Sequence, residues 1–178
     1  MKIILLDRDG VINHDSDAFI KTPDEWVAID GSLEAIARLN QAGWRVVVAS
    51  NQSGIGRGLF SMATLNQIHR KMHQQLLAVG GHLDGVFFCP HTGDSNCECR
   101  KPKAGLLHDI AQRFDVNLSG VPMVGDSLRD LQAGVSVGAK PYLVRTGKGR
   151  KTLATGNLPE GTQVFDDLAA VVATLLTH

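Results

Sequence analysis

Ile3, Ile4, Leu5 and Leu6 form an unbroken apolar run, and Asp7, Asp9 and Gly10 follow it almost at once. A run that is apolar at every residue suits a strand buried on both faces, the condition of a parallel sheet covered by helices. The two carboxylates then stand at the C-terminal end of that strand. In an open α/β sheet that edge is where ligands bind.

Further apolar runs at 45–50, 85–89, 122–126 and 141–144 alternate with segments of period near 3.6, the pattern of repeated βα units. The clearest helix begins after Ser61, a suitable N-cap, carries Leu65, Ile68, Met72, Leu76 and Val79 along one side, and ends at Gly80-Gly81. Other helices are expected over 32–43, 104–114, 128–137 and 166–176. The glycine-rich, polar stretch 147–161 reads as a surface loop. Because crossovers between parallel strands are right-handed, this order predicts a doubly wound α/β sheet with helices on both faces. One domain spanning residues 1–178 accommodates it.

The chain's 178 residues are enough to bury roughly 70% of the surface that the unfolded form exposes. Its 18 basic and 18 acidic residues cancel, so no global field favours nucleic acid or an anionic membrane, and any anion site must be local. The N-terminus lacks the succession of a signal peptide and no apolar run reaches membrane-spanning length, so the expectation is a cytoplasmic protein. With no large apolar stripe in view, it is expected to be a monomer.

An Asp-x-Asp-Gly turn alone is weak evidence, since aspartate and glycine are ordinary turn residues. Three other strand ends change the weighing. The run 46–49 delivers Ser50 and Asn51, then Gln52, Ser53 and Gly54, whose hydroxyls, amides and backbone N–H groups suit phosphoryl oxygens. The run 122–124 delivers Gly125 and Asp126, with Asp130 a few residues on. Asp7, Asp9 and Asp126 would repel one another unless a hard divalent cation sat among them, with Mg2+ the natural candidate. Asp130 either supports that cation from behind or is an exposed acid in the first turn of a helix. Arg100 and Lys101 offer fixed positive charge for a transferring phosphate. Asp15, Ser16, Asp17 and Ala18 follow the first acids in a polar loop and are candidate substrate contacts, with turn formation an equal account.

Cys89, His91, Cys97 and Cys99 pair as C-x-H and C-x-C within eleven residues. Three thiols and an imidazole close a tetrahedral Zn2+ site with no position left for a catalytic water, which makes the metal structural. Arg100 and Lys101 follow the last ligand directly and would inherit the rigidity it imposes. His69 and His73 lie i,i+4 on one helix with no acid beside them and are expected on a solvated face, without a role. Trp26 and Trp44 are expected to pack.

The ordered set DRDGVIN, ASNQSG, the lysine of CRKPKAG, and VGDSLRD resembles the haloacid dehalogenase superfamily of phosphatases over essentially the whole chain. The resemblance implies a Rossmann-like core, with Asp7 as a nucleophile that forms an aspartyl-phosphate and Asp9 as the acid and then the base. It implies Mg2+ held by Asp7, Asp126 and the Asp9 carbonyl, and phosphoryl stabilisation by Ser50 and Lys101. Only about 40 residues separate the first two motifs, so no large cap domain fits there.

A capless chain with this metal loop is similar to the histidinol-phosphatase-like subfamily. That likeness implies a small phosphorylated sugar as substrate: a heptose 1,7-bisphosphate losing its 7-phosphate, on the way to the activated heptose of lipopolysaccharide core. Ser50, Asn51, Gln52 and Ser53 would line the phosphate site and Arg100 would recognise the substrate. Histidinol phosphate is the alternative, disfavoured because Arg100 would face its cationic amine. A nucleic-acid 3'-phosphatase is disfavoured by zero net charge and few aromatics. A purely non-enzymatic binding module is disfavoured by the intact Asp7, Asp9, Lys101 and Asp126.

Overall fold

In the computed structural model, which describes residues 1–177, every strand runs parallel. The strands are β1 (Ile3–Leu6), β2 (Arg45–Asn51), β3 (Gly85–Cys89), β4 (Pro122–Gly125), β5 (Lys140–Val144) and β6 (Gln163–Phe165). The helices are α1 (Ser32–Gln41), α2 (Met62–Ala78), α3 (Gly105–Phe114), α4 (Leu128–Ser136), α5 (Gly149–Thr155) and α6 (Leu168–Leu176). The sheet order is β3-β2-β1-β4-β5-β6. The direction of winding reverses between β1 and β4, so the crevice outside their C-terminal ends is the ligand position of such a sheet. Asp7 follows β1 and Asp126 follows β4 at that place.

Residue parity divides the core. Ile4, Leu6, Val46, Val48, Val124 and Val144 pack with α1, α2 and α6 on one face, while Ile3, Leu5, Val47, Ala49 and Met123 pack with α3 and α4 on the other. Both sides of β1 are therefore sealed, which is why its sequence does not alternate. Ser61 caps α2 through its hydroxyl, 3.2 Å from the Thr64 N–H. Leu65, Ile68, Met72 and Leu76 are fully buried beneath that helix, but Val79, expected on the same side, lies beyond its end and is exposed.

The stretch 147–161 is not a simple loop. It contains α5, whose Thr152 hydroxyl donates to the Asp126 carbonyl at 2.7 Å and whose Gly149 lies so close to the Val144 carbonyl that a Cβ has no room. Tertiary contacts hold this short helix where local propensity does not. The three-residue β6 was likewise absent from the expected elements and is held by pairing with β5.

Trp26 is fully buried after a single 3-10 turn, Pro23–Glu25, and the ammonium of Lys71 on α2 donates to the carbonyls of Pro23 and Trp26 at 2.7 and 2.8 Å. Trp44 is half-buried against the same core. Trp26→Ala should lower stability by about 3–5 kcal/mol, read from urea unfolding. Trp26→Phe should lower it by less, because the indole N–H that it removes has no partner among the described residues.

Candidate active site

A cavity of about 260 Å³ opens at the crevice between β1 and β4. Asp7, Asp9, Asp15, Ser16, Asp17, Asn51, Ser53, Arg100, Lys101, Asp126 and Asp130 line it, together with Phe19, Arg57, Ser127, Arg129 and Lys148. Ser50 and Gln52 lie behind this lining: both are buried, and the Gln52 amide donates to the Ser50 hydroxyl at 2.8 Å and to Asp9 Oδ2 at 3.3 Å. Ala18 is exposed in a neighbouring groove with His14, Ile20 and Val27. The structure thus brings the acids, Arg100 and Lys101 together and leaves Ser50, Gln52 and Ala18 off the cavity wall.

Lys101 is the centre of the floor. Its buried ammonium donates to Asp130 Oδ1 at 2.6 Å, to the Ala49 carbonyl at 2.7 Å and to Asp7 Oδ1 at 3.1 Å. Burial alone would lower its pKa, but the charges of Asp130 and Asp7 outweigh it and hold the ammonium above its usual range. Asn51 fixes the same residue from behind, accepting from the Lys101 N–H at 3.0 Å and donating to its carbonyl at 3.2 Å. Asn51 therefore orients the lysine as well as lining the cavity.

Asp130 is buried and leaves neither of its oxygens free. It forms a capping box with Ser127 at the start of α4, and receives Lys101 on its other oxygen. Asp7 and Asp126 differ from it, since each keeps one oxygen clear. Asp7 Oδ1 takes the Arg8 N–H at 2.9 Å and Lys101, and Asp126 Oδ2 takes the Lys148 N–H at 2.9 Å. Asp7 Oδ2 and Asp126 Oδ1 accept nothing among the described residues, and neither does the Asp9 carbonyl.

One carboxylate oxygen from each of Asp7, Asp126 and Asp130 can be chosen so that all three lie within 4.8 Å of one another. Burial and the adjacent Asp130 charge hold Asp7 well above the usual carboxylate range and push Asp126 up to about 7. Carboxylates that resist ionisation together, two of them with an oxygen left unbonded, fit a hard divalent cation.

Asp9 is held differently. Burial works against its charge, yet the Arg8 guanidinium, with hydrogen bonds from Asn13 and Gln52, keeps its pKa below the usual range. Arg8 is fully buried, donating from Nε to Asp9 Oδ1 at 2.8 Å and from Nη1 to His69 Nε2 at 3.1 Å. His69 is thus not on a solvated face: burial and Arg8 drive its pKa down to about 3, while His73 stays exposed as expected. The signal was present in the spacing, because His69 falls one turn after Leu65 and three before Met72, within the buried stripe of α2. Arg8 carried a signal too, continuing the parity of Ile4 and Leu6 toward the face that α2 covers.

The second cluster lies beside the cavity. The Sγ atoms of Cys89, Cys97 and Cys99 and a ring nitrogen of His91 lie within 4.8 Å of one another, with His91 Nδ1 3.4 and 3.3 Å from Cys89 and Cys99. A hydrogen bond from Ser95 helps bring Cys97 down to about 6, whereas burial and the neighbouring thiols push Cys99 up to about 12. Three crowded sulfurs and an imidazole could hold a metal ion, whose charge would let all three ionise.

A raised folded-state pKa at Asp126 stabilises the protonated form, so the metal-free chain gains from it at low pH and loses that gain as pH rises from about 4 through about 7. In chelator, Asp126→Asn should gain stability relative to the unsubstituted chain between about pH 5 and about pH 8, and a divalent cation at the higher pH should reverse the order. Urea titrations at both pH values measure this.

Comparison with known proteins agrees with this geometry. The family model described as polynucleotide kinase 3 phosphatase matches residues 2–133, and one described as HAD-hydrolase-like matches residues 98–171. D-glycero-beta-D-manno-heptose-1,7-bisphosphate 7-phosphatase from Bordetella bronchiseptica is 64% identical over 99% of this chain and 98% of that protein. The protein of the same name from Pseudomonas putida is 53% identical over 99% of this chain and all of its own. The crystal structure of D,D-heptose 1,7-bisphosphate phosphatase from B. bronchiseptica, complexed with magnesium and phosphate, superposes with a TM-score of 0.98 at 64% identity, covering 99% of each chain. That from Burkholderia thailandensis gives 0.81 at 56% identity, with both chains fully covered. This chain belongs to the haloacid dehalogenase-like phosphatases and, within them, to the family of those heptose-bisphosphate phosphatases.

Proposed function

We propose that this chain hydrolyses D-glycero-beta-D-manno-heptose 1,7-bisphosphate to the 1-phosphate and inorganic phosphate, in the supply of nucleotide-activated heptose for lipopolysaccharide core. The observation that carries the reading is the 64% identity over nearly the full length of a relative with that name, joined to an acid and lysine set at the sheet's switch point. The beta anomer follows the relatives' names. Histidinol phosphate, the alternative substrate, has no such support.

On this reading a free oxygen of Asp7 attacks phosphorus in line with the sugar oxygen. The new O–P bond forms as the P–O7 bond breaks, and Asp9, which first binds a proton against the Arg8 charge that keeps it ionised in the free site, gives that proton to the leaving alkoxide. Asp9 then takes a proton from the water that attacks the aspartyl-phosphate, releasing phosphate and restoring Asp7. Lys101 holds the attacking carboxylate through Oδ1 and places positive charge beside the phosphoryl oxygens. Ser50 acts from behind the lining, through Gln52, rather than as a cavity wall.

Mg2+, held by Asp7, Asp126 and the Asp9 carbonyl, supplies further neutralisation of phosphoryl charge when bound. Zn2+ is the proposed ion of Cys89, His91, Cys97 and Cys99, and serves to order the loop that presents Arg100 and Lys101. Asp15, Ser16, Asp17, Asn51, Ser53 and Arg100 are the proposed contacts to the sugar and its remaining phosphate. The reading extends to a cytoplasmic monomer of one domain; no helix among the described residues is long and apolar enough to cross a membrane.

Phosphate release with Mg2+ from both anomers of the heptose bisphosphate and from histidinol phosphate, with the residual phosphorus signal followed by NMR, tests the substrate. Preferred loss of the 7-phosphate from the beta anomer is expected; preferred turnover of histidinol phosphate would overturn the substrate and leave the chemistry. Asp7→Asn should abolish beryllium fluoride trapping. Cys99→Ser should lower zinc content measured by mass spectrometry and reduce kcat through a less ordered Lys101.

A further inference from the structure

Arg8 is the feature of this site that stability does not explain. Its side chain has no exposure, and a buried guanidinium is disadvantageous unless its five donors are met. They are met poorly. Nε reaches Asp9 Oδ1 and Nη1 reaches His69, but Nη2 has no partner among the described residues. An Arg–carboxylate pair serving stability alone would be a two-bond fork onto Asp9; here one arm of the fork is spent on the His69 imidazole of α2.

That second contact is informative. Arg8 is a permanent cation and only donates, so His69 Nε2 must accept, which fixes a neutral ring with its proton on Nδ1. The ring sits edge-on to Phe88 of β3, with centroids 6.3 Å apart, and is buried on α2. The position of α2 on the sheet is thereby transmitted to the guanidinium, and from it to Asp9. On the other side, Asn13 Nδ2 donates to the same Asp9 Oδ1 at 2.9 Å. Oδ1 is doubly held, while Oδ2 has only the long 3.3 Å contact from Gln52.

We propose that Arg8, braced by His69, is a positioning residue that locks Oδ1 of Asp9 and leaves Oδ2 as the oxygen that passes the proton. The inference rests on the reading of Asp9 as the acid and base. It assigns the pair no contact with substrate. Its consequence is specific to proton transfer: an ester whose alkoxide must be protonated should depend on the pair, and one whose phenolate leaves without a proton should not.

Single-turnover release of the alcohol, with Mg2+ present, separates the cases, using the heptose bisphosphate (or, should that not turn over, the best primary alkyl phosphate) against p-nitrophenyl phosphate. Asp9→Asn should slow the alkyl ester by about 10²–10⁴ and the aryl ester far less. Arg8→Met should slow the alkyl ester by about 10²-fold with the aryl ester little changed. His69→Leu should show the same selectivity, and His69→Gln, whose amide oxygen can accept from Nη1, should recover most of that loss. Retained beryllium fluoride trapping at Asp7 checks that the phosphoryl site is intact, and Arg8→Lys carries the comparison if Arg8→Met does not fold. Equal slowing of both esters by the Arg8 and His69 variants, or none, overturns the proposal while a selective Asp9→Asn leaves the acid-base reading standing. An unselective Asp9→Asn overturns both.

Discussion

One ammonium holds the floor of this site. Lys101 Nζ joins two strands and the start of a helix: Asp7 after β1, the Ala49 carbonyl within β2, and Asp130, which caps α4 after β4. Buried and surrounded by oxygen, it is stabilised only while those partners stay in place, and each of them would be an uncompensated buried group without it. The interaction is therefore mutual. Strand packing sets the oxygens, the lysine fixes their spacing, and Asp7 Oδ2 and Asp126 Oδ1 are left without a partner among the described residues.

Lys101 reaches this position from a loop, which ordinarily is a poor place from which to fix a side chain. Two restraints compensate. Asn51 at the end of β2 bonds both backbone groups of Lys101, and the Cys–His cluster ends at Cys99, two residues before it. A metal in that cluster would restrain the loop from one side while the sheet restrains it from the other. The Lys103 ammonium, bonded to the Cys97 carbonyl at 2.9 Å, ties the segment after Lys101 back to the same cluster.

The sequence displayed the sheet because strands sealed on both faces must be apolar throughout, and it displayed the site acids because they sit where those runs stop. What it hid was held by tertiary contact. The helix α5 carries one glycine and two threonines in seven residues and depends on the Asp126 carbonyl, to which Thr152 donates. His69 was misplaced because a histidine next to another at i,i+4 reads as solvated, when its place in the apolar stripe of α2 was the stronger signal. Ser50 and Gln52, expected at the phosphate site, are buried behind the cavity lining, where the Gln52 amide donates to Ser50 and to Asp9. Periodicity finds which face a residue takes; it does not reveal which of two neighbours on that face will be bonded from behind.

Charge then argues for what the cavity receives. Asp7, Asp9, Asp126 and Asp130 form the floor, with Arg8 and Lys101 as its fixed cations; if all four acids ionise, two negative charges remain, the amount that one divalent cation neutralises. Around it cations outnumber acids, with Arg57, Arg100, Arg129 and Lys148 against Asp15 and Asp17. Arg57, Arg100 and Arg129 line the cavity and form no ion pair among the described residues, and Lys148 meets only Asp15, at 3.5 Å. A floor neutralised by metal can accept one phosphate, and unpaired guanidiniums at the rim favour a second anionic group across a short sugar. The same rim would repel an ammonium at that distance, so it discriminates by penalty as well as by attraction. In a chain of zero net charge, that local excess of positive charge would, on the proposed function, favour a bisphosphate over a cationic monoester.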